Sequence, residues 1–252
     1  RTQMIADAQT TNYTYDDANR MLTAGSTSYG WDNNGNMTSK TLGGSSTSYA
    51  YDYENRMTGI TYPDTTTAAF GYSGDGLRVS KTESGVTLKY LHDGVRPIIE
   101  ADASLVAQAR YTLEGESYFD PLISQKRGTA KSYYHYDGLG SSRKLTDALQ
   151  TVTDSYAYEA FGNIVAQSGA TTNPYRYVGS LGYYGDDSSG LLHVGARYYD
   201  AALGRFTTRD PEAKSVNLYA YVANEPASYT DPLGTYRIDK SCKKRNYEDT
   251  IK

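Results

Sequence analysis

The chain has 252 residues, 38% of them hydrophobic, and a formal net charge of −4 at pH 7. Its 25 basic and 29 acidic residues give no general basis for binding nucleic acid or an anionic membrane surface. No apolar run reaches the length of about 18 residues that a membrane-spanning helix needs, so we expect no membrane span. Cys242 is the single cysteine, which excludes an internal disulfide.

Tyrosine dominates the apolar composition, with 27 tyrosines against 4 phenylalanines and 1 tryptophan. A core built from this chain must therefore bury tyrosine rings while each hydroxyl keeps a hydrogen-bonding partner. Such side chains suit a wall that is covered on one side and wet on the other.

Ten-residue segments recur along the chain, first as YTYDDANRML (13–22), then as YGWDNNGNMT (29–38) and YAYDYENRMT (49–58). Looser copies follow at 70–81, 90–99, 133–147 and 156–167, with a period of about 20 residues. In each copy two aromatic residues stand two positions apart, which puts both on one face of a strand. Asp, Asn and Gly then favour a tight turn before a second short strand. The repeat unit is therefore predicted to be a β-hairpin.

We predict an all-β chain of consecutive antiparallel hairpins, which stack into a curled sheet or part of a hollow β-shell. The spacing of Tyr175 and Tyr177 predicts one more strand of this kind. Because the first unit begins within about a dozen residues of Arg1 and sheet ends need covering, we expect a neighbour that precedes it in a longer protein. The structural repeat positions are Tyr15, Asp16, Trp31, Asp32, Tyr51, Asp52, Tyr136, Asp137 and Tyr158.

The pattern YxYDxxNRM/L and the segment ARYYDAALGRFTTRDP…NLYAYVANEPASYTDPLG (196–234) resemble the RHS-repeat, or YD-repeat, proteins. The resemblance covers about residues 10–234, and its most specific part is similar to the RHS-repeat-associated core. It implies repeats over 1–189, a core over 190–234 that closes the shell, and a variable tail over 235–252.

The resemblance also implies a secreted or bacterial cell-surface location and a function. Hairpins of such proteins spiral into a hollow shell around a C-terminal segment, which is usually a toxin. In many members the core acts as an aspartyl self-protease that frees this segment. The implied partner is therefore the chain's own C-terminal segment or toxin cargo.

The resemblance further implies the residues of a self-cleavage site. Arg209-Asp210-Pro211 matches the first part of the family's motif, and Asp231-Pro232-Leu233-Gly234 matches the second. Two close carboxylates share a proton, so one can activate water while the other donates to the scissile carbonyl. By this match Asp210 and Asp231 form the pair, Arg209 orients a carboxylate, and the cut lies near the Thr235–Tyr236 bond.

Two departures from the family pattern leave an alternative open. The segment DPEAKSVNLY (210–219) is shorter than usual and lacks a glycine pair, and Thr235 stands where Leu is usual. Asp-Pro also opens ordinary turns, as at Asp120-Pro121. Asp210 and Asp231 serving only as turn residues is therefore the alternative to a catalytic pair.

The sequence indicates neither a cofactor nor a metal site. The three histidines, His92, His135 and His193, are too scattered for a metal centre, and the repeat aspartates do not follow the spacing of a calcium loop. Tyrosine rings also suit stacking on sugars, but their period of two favours packing within a wall. The tail is too short to fold as an enzyme, and we interpret its Lys243-Lys244-Arg245 cluster as solvated and Cys242 as an ordinary free thiol.

A second hypothesis is a cell-surface adhesion or fibre-forming module. In that case the open sheet edges of separate copies would pair head to tail. The short tail and the imperfect cleavage motif favour this alternative.

Overall fold

A computed structural model describes residues 2–6, 9–115, 120–213, 216–235 and 237–239. Over this part the chain forms 23 strands and two single 3-10 turns, Gly179–Leu181 and Val222–Asn224. None of its helices is long and apolar enough to cross a membrane. The predicted all-β class is confirmed.

Seventeen strands form one antiparallel sheet, in which each strand pairs with the strands before and after it along the chain. Among the described strands, the first pairs only with the second and the last only with the sixteenth, so the sheet stays open. The strands are β1 (Gln3–Ala6), β2 (Gln9–Tyr15), β3 (Met21–Ala24), β4 (Thr27–Trp31), β5 (Met37–Leu42), β6 (Ser45–Tyr51), β7 (Met57–Thr61), β8 (Thr67–Tyr72), β9 (Arg78–Glu83), β10 (Val86–Asp93), β11 (Arg96–Ala101), β12 (Ala107–Leu113), β13 (Leu122–Arg127), β14 (Ala130–Tyr136), β15 (Ser142–Thr146), β16 (Val152–Tyr158) and β17 (Ile164–Ser168).

The residues after β17 form two smaller sheets. One sheet has four strands, and the other is a single hairpin close to the end of the described chain. Their bounds are β18 (Tyr184–Asp186), β19 (Leu191–Val194), β20 (Arg197–Asp200), β21 (Arg205–Phe206), β22 (Tyr229–Thr230) and β23 (Ile238–Asp239). We refer to the described residues from 173 to 234, many of which pack against the large sheet, as the core segment.

The large sheet curls around the core segment. Ring centroids meet at 5.0 Å between Trp31 and Tyr219, and at 5.9 Å between Tyr158 and Tyr177. Strands as far apart as β4 and β16 therefore contact one compact segment, which only a curved sheet allows. The first aromatic residue of each repeat forms a buried row on the concave face: Tyr13, Tyr29, Tyr49, Phe70, Tyr90, Tyr111, Tyr134 and Tyr156.

Buried charges also join the sheet to the core segment. The Glu100 carboxylate accepts hydrogen bonds from the Tyr111 hydroxyl of the sheet at 2.6 Å and from the Tyr184 hydroxyl of the core segment at 2.9 Å. Its second oxygen lies 2.9 Å from the Arg127 guanidinium. A buried carboxylate is tolerated when it is paired and hydrogen-bonded in this way. Glu100 therefore holds the core segment in place on the sheet.

One five-residue turn, which we name the repeat turn, closes most hairpins. In its Asp52 copy the Asp52 N–H donates to the Arg56 carbonyl at 3.0 Å, and the Asn55 N–H donates to the Asp52 carbonyl at 3.0 Å. The Asp52 carboxylate accepts the backbone N–H groups of Glu54 and Arg56. Asn55, the fourth residue, has a φ of 62°, which Asn and Gly tolerate best.

The repeat turn explains why the motif contains Asp. Burial acts to raise the pKa of the Asp52 carboxyl, but hydrogen bonds from Arg56 outweigh it and lower the pKa below its ordinary value. The described residues contain no cluster of His, Cys, Asp or Glu suited to a metal ion. Nine turns share both backbone hydrogen bonds, and they begin at Asp16, Asp32, Asp52, Tyr62, Ser73, Asp102, Asp137, Asp147 and Glu159.

In five hairpins the second aromatic residue of the motif links the hairpin to the one before it. A bulge between Ala50 and Tyr51 shifts the ladder, and the Tyr51 hydroxyl donates to the Met37 carbonyl of the preceding hairpin at 2.9 Å. This inter-repeat hydrogen bond gives a donor to the backbone carbonyl of a buried residue. It recurs from Trp31 to Met21, Tyr72 to Met57, Tyr136 to Leu122 and Tyr158 to Ser142.

The strand predicted at Tyr175 and Tyr177 is wrong. Both side chains are buried in the core segment, but their backbone lies outside the described strands. The Tyr177 hydroxyl donates to the Ala160 carbonyl. Tyr177 therefore makes the same kind of hydrogen bond as the second aromatic residue of a repeat, but it does not lie on a described strand. Spacing by two marks a shared face only where the backbone is extended.

We expect Tyr51→Phe to lower the free energy of unfolding by about 1 kcal/mol, because it leaves the Met37 carbonyl without its donor. Urea denaturation of the purified chain measures the difference. Tyr53→Phe is the matched control, since Tyr53 belongs to the same repeat and is 88% exposed. An equal loss in both variants would contradict a structural role for the inter-repeat hydrogen bond.

Candidate functional site

The structure brings Asp210 and Asp231 to the same side chain. Oδ2 of Asp231 lies 3.3 Å from Nη2 of Arg197, and Oδ2 of Asp210 lies 3.9 Å from the same nitrogen. Asp231 and Arg197 are buried, while the Asp210 side chain is 10% exposed. Two carboxylates separated in sequence thus face one guanidinium.

Arg197 is the member of this site that sequence reasoning missed. Its Nη1 donates to the Leu218 carbonyl at 3.1 Å, and its Nε donates to the Gly234 carbonyl. The guanidinium lies 3.6 Å from the centroid of the Phe206 ring. Burial lowers the pKa of Arg197, and the charge of Asp231 opposes that shift. The only sequence signal was its position at the start of the closing RHS-like segment.

Arg209 has a different environment from the one its motif implied. It is exposed and approaches Gly35, whose carbonyl accepts a hydrogen bond from the Tyr219 hydroxyl at 2.9 Å. The guanidinium that the described contacts put between the two carboxylates belongs to Arg197. A role for Arg209 in orienting a carboxylate therefore stays a prediction.

Asp231 opens a turn built like the repeat turn. The Gly234 N–H donates to the Asp231 carbonyl at 3.2 Å, and the φ of Gly234 is 66°. Oδ1 of Asp231 accepts the Thr235 N–H at 3.0 Å. The carboxylate therefore holds the turn with one oxygen and meets Arg197 with the other.

Asp210 opens a similar turn. The Ala213 N–H donates to its carbonyl at 3.1 Å, and its Oδ1 accepts the Glu212 N–H at 2.9 Å. The turn-forming role that the Asp-Pro pairs suggested is thus present at both positions. A turn-forming role alone does not account for the second oxygen of each carboxylate, which faces a buried arginine.

The hairpin β22–β23 carries the Asp231 turn. Thr230 pairs with Ile238, so the loop spans residues 231–237. In a repeat hairpin the corresponding pair, Tyr51 with Met57, encloses only residues 52–56. The longer loop includes the predicted cleavage point, although Tyr236 itself lies outside the described residues.

Close backbone contacts fix the loop against the four-stranded sheet. The Ala196 N–H donates to the Leu233 carbonyl at 2.9 Å. A Cβ on Gly195 would overlap the Leu233 carbonyl, and a Cβ on Gly234 would overlap the Val194 carbonyl. Glycine is needed at both positions because it has no Cβ to overlap these carbonyls. The positive φ of both residues is a second reason for glycine.

A cavity of about 680 Å³ adjoins the site. Arg197, Asp210, Thr235, His92 and His193 are among the residues that line it. Burial lowers the pKa of both imidazoles, most strongly for His193. The third histidine, His135, lies apart and bonds Thr146 on the sheet.

Two family profiles match the chain. The RHS Repeat profile matches residues 31–67, and the Teneurin YD-shell profile matches residues 118–241. The profiles thus cover parts of both the large sheet and the core segment.

Curated relatives include a nuclease, a deaminase toxin and a teneurin. The tRNA3(Ser)-specific nuclease WapA of Bacillus spizizenii is 31% identical over 231 residues, which is 87% of this chain and 9% of that protein. Double-stranded DNA deaminase toxin A of Burkholderia cenocepacia is 27% identical over 92% of this chain and 18% of its own length. Teneurin-1 of Gallus gallus is 27% identical over 69% of this chain and 7% of its own length. This chain therefore spans only a small part of each relative.

A solved structure of the TcdB2–TccC3 complex has the same fold. It superposes with a TM-score of 0.61 over 90% of this chain and 16% of that chain, at 17% identity. At this identity the likeness concerns the fold alone.

We expect Gly195→Ala to lower the free energy of unfolding by about 1–3 kcal/mol more than Gly190→Ala, because only the first methyl group overlaps the Leu233 carbonyl. The φ angles of the two glycines are 52° and 69°, so both variants share the backbone strain. Gly190 has open space around it, which makes it the matched control in urea denaturation. An equal loss of free energy of unfolding in both variants would show that the Leu233 carbonyl is not in close contact with Gly195.

Proposed function

Because the chain belongs to the RHS/YD-repeat proteins, we propose that it is the closing part of a toxin-associated RHS shell. In this proposal the curled sheet is the wall, the core segment closes it, and the residues after Gly234 are enclosed or presented. The packing of the core segment against the concave face supports this function. Toxin relatives support a toxin segment as the cargo and a secreted or surface-attached parent.

The proposal includes self-cleavage next to Thr235. The observation that carries it is that Asp210 and Asp231 both contact Arg197. Asp231 also opens the turn that ends at Thr235. One carboxylate takes a proton from water, and the water oxygen attacks the carbonyl carbon. As the C–N bond breaks, that proton passes to the leaving nitrogen. Arg197, held in a buried site, stabilises the negative charge that develops.

Intact-mass analysis tests the self-cleavage. We expect the wild-type chain to yield two fragments from a cut next to Thr235, and Asp210→Asn to slow this cut at least about a hundredfold, since it removes an acid–base group. Asp120→Asn is the matched control, because Asp120 also precedes a proline. A full-length mass for the wild type after prolonged incubation would remove the protease activity from the proposal.

A second candidate function is a fibre-forming or adhesive surface module. It is favoured by β17, all five of whose residues are exposed, with Val165 at 60%, and whose outer edge lacks a partner strand among the described residues. Such an edge is a template for another chain.

Sedimentation velocity at increasing concentration separates the two functions. Growing polymers that disappear in Val165→Lys would support the fibre, since a charge on an edge strand blocks pairing. Val86→Lys is the control, because Val86 is 66% exposed on the interior strand β10. A monomer at every concentration would exclude the fibre and leave the shell function.

A further inference from the structure

The Asp231 turn differs from the repeat turn in one hydrogen bond. In the nine repeat turns, the N–H of the first residue donates to the carbonyl of the fifth, as Asp52 does to Arg56 at 3.0 Å. At Asp231 the N–H donates instead to the Tyr183 hydroxyl at 2.8 Å. The fifth residue of this turn is Thr235, whose carbonyl belongs to the bond that the family motif marks for cleavage.

Tyr183 is firmly held where it makes this contact. Its side chain is fully buried, and its hydroxyl forms a second hydrogen bond, of 2.9 Å, with the Tyr221 hydroxyl. The Tyr177 and Tyr221 rings pack edge-on against its ring. A buried backbone N–H needs a partner, and here a rigid side chain supplies the partner in place of the turn's own carbonyl.

This exchange changes what the turn does to its fifth residue. In a closed repeat turn, the fifth carbonyl is fixed toward the first N–H, and the next strand begins directly after it. When the N–H is occupied by Tyr183, the turn no longer fixes the Thr235 carbonyl, and the loop extends to residue 237 before pairing resumes. A carbonyl that leaves the ladder can be presented to a nucleophile.

We propose that Tyr183 is a positioning residue for self-cleavage, which withdraws the Asp231 N–H from the turn and so releases the Thr235 carbonyl for attack. This inference rests on the proposed self-cleavage. In the step it serves, the oxygen of water bonds to the Thr235 carbonyl carbon, the bond to the nitrogen of Tyr236 breaks, and that nitrogen receives a proton. The Asp231 carboxylate keeps accepting the hydrogen bond from the Thr235 N–H throughout this step.

The hydrogen-bond exchange is measurable without any cleavage. We would label Asp210→Asn protein with ¹³C′-threonine and ¹⁵N-tyrosine, so that HNCO spectra report only Thr-Tyr bonds. The sequence has three of these, at residues 14–15, 61–62 and 235–236, and Thr235→Ser identifies the third. With Tyr183→Phe added, we expect the Thr235 carbonyl resonance to move downfield as it accepts the Asp231 N–H, while the other two signals stay and report an intact sheet.

The kinetic arm uses the otherwise wild-type chain. We expect Tyr183→Phe to slow self-cleavage about tenfold, the effect of one hydrogen bond on a barrier. Tyr221→Phe is the matched control, because it deletes a hydroxyl of equal burial one bond further away and leaves Tyr183 on the Asp231 N–H. Tyr221→Phe should leave the Thr235 signal unchanged. It should change the rate of self-cleavage by no more than about twofold.

The outcomes separate the inference from the function on which it rests. A slower cut in Tyr183→Phe alone, with the downfield shift, supports the positioning role. An unmoved Thr235 signal, or equal slowing in Tyr221→Phe, overturns the role of Tyr183 while self-cleavage stands. A wild-type chain that never cleaves overturns both, and the Thr235 signal then still shows whether Tyr183 opens the turn.

Discussion

A curled sheet of tyrosine-bearing hairpins has a concave apolar face that the sheet itself cannot cover. The core segment exists in the position it has because this face must be buried. One aromatic residue per repeat contributes its ring to that face, from Tyr13 to Tyr156. The core segment covers it with tyrosines of its own, because an aromatic ring packs edge-on against another, as Tyr175 does on Tyr111. The buried Glu100 carboxylate accepts hydrogen bonds from the hydroxyls of Tyr111 and Tyr184, one from each region. Two buried apolar clusters therefore combine residues of the sheet with residues of the core segment.

The candidate site is built from the same local structure as the wall. Asp231 and Asp210 each begin a turn similar to the repeat turn, and one carboxylate oxygen of each accepts a backbone N–H of that turn. The difference lies in the surroundings, where burial in the core segment brings Arg197 to the remaining oxygens. In the proposed self-cleavage, a residue that stabilises a turn also takes part in acid–base chemistry, next to a buried charge.

The sequence predicted what local patterns determine. Period-two aromatics followed by Asp and Asn or Gly gave the hairpins, because strand alternation and turn chemistry act over a few residues. The same reasoning failed at Tyr175, where tertiary packing rather than a ladder buries the ring. Arg197 and Tyr183 could not be found in this way, since both contact Asp231, which lies 34 and 48 positions away. Long-range contacts leave no periodic trace in a single sequence.

Hydrogen exchange measured by mass spectrometry in increasing urea tests the central claim most directly. If the wall and the core segment share one core, amides of β4 to β8 and of β18 to β20 will lose protection at the same urea concentration, in a single cooperative opening. Loss of protection in β18 to β20 while the large sheet stays protected would contradict the account, because the sheet would then be stable without its cover.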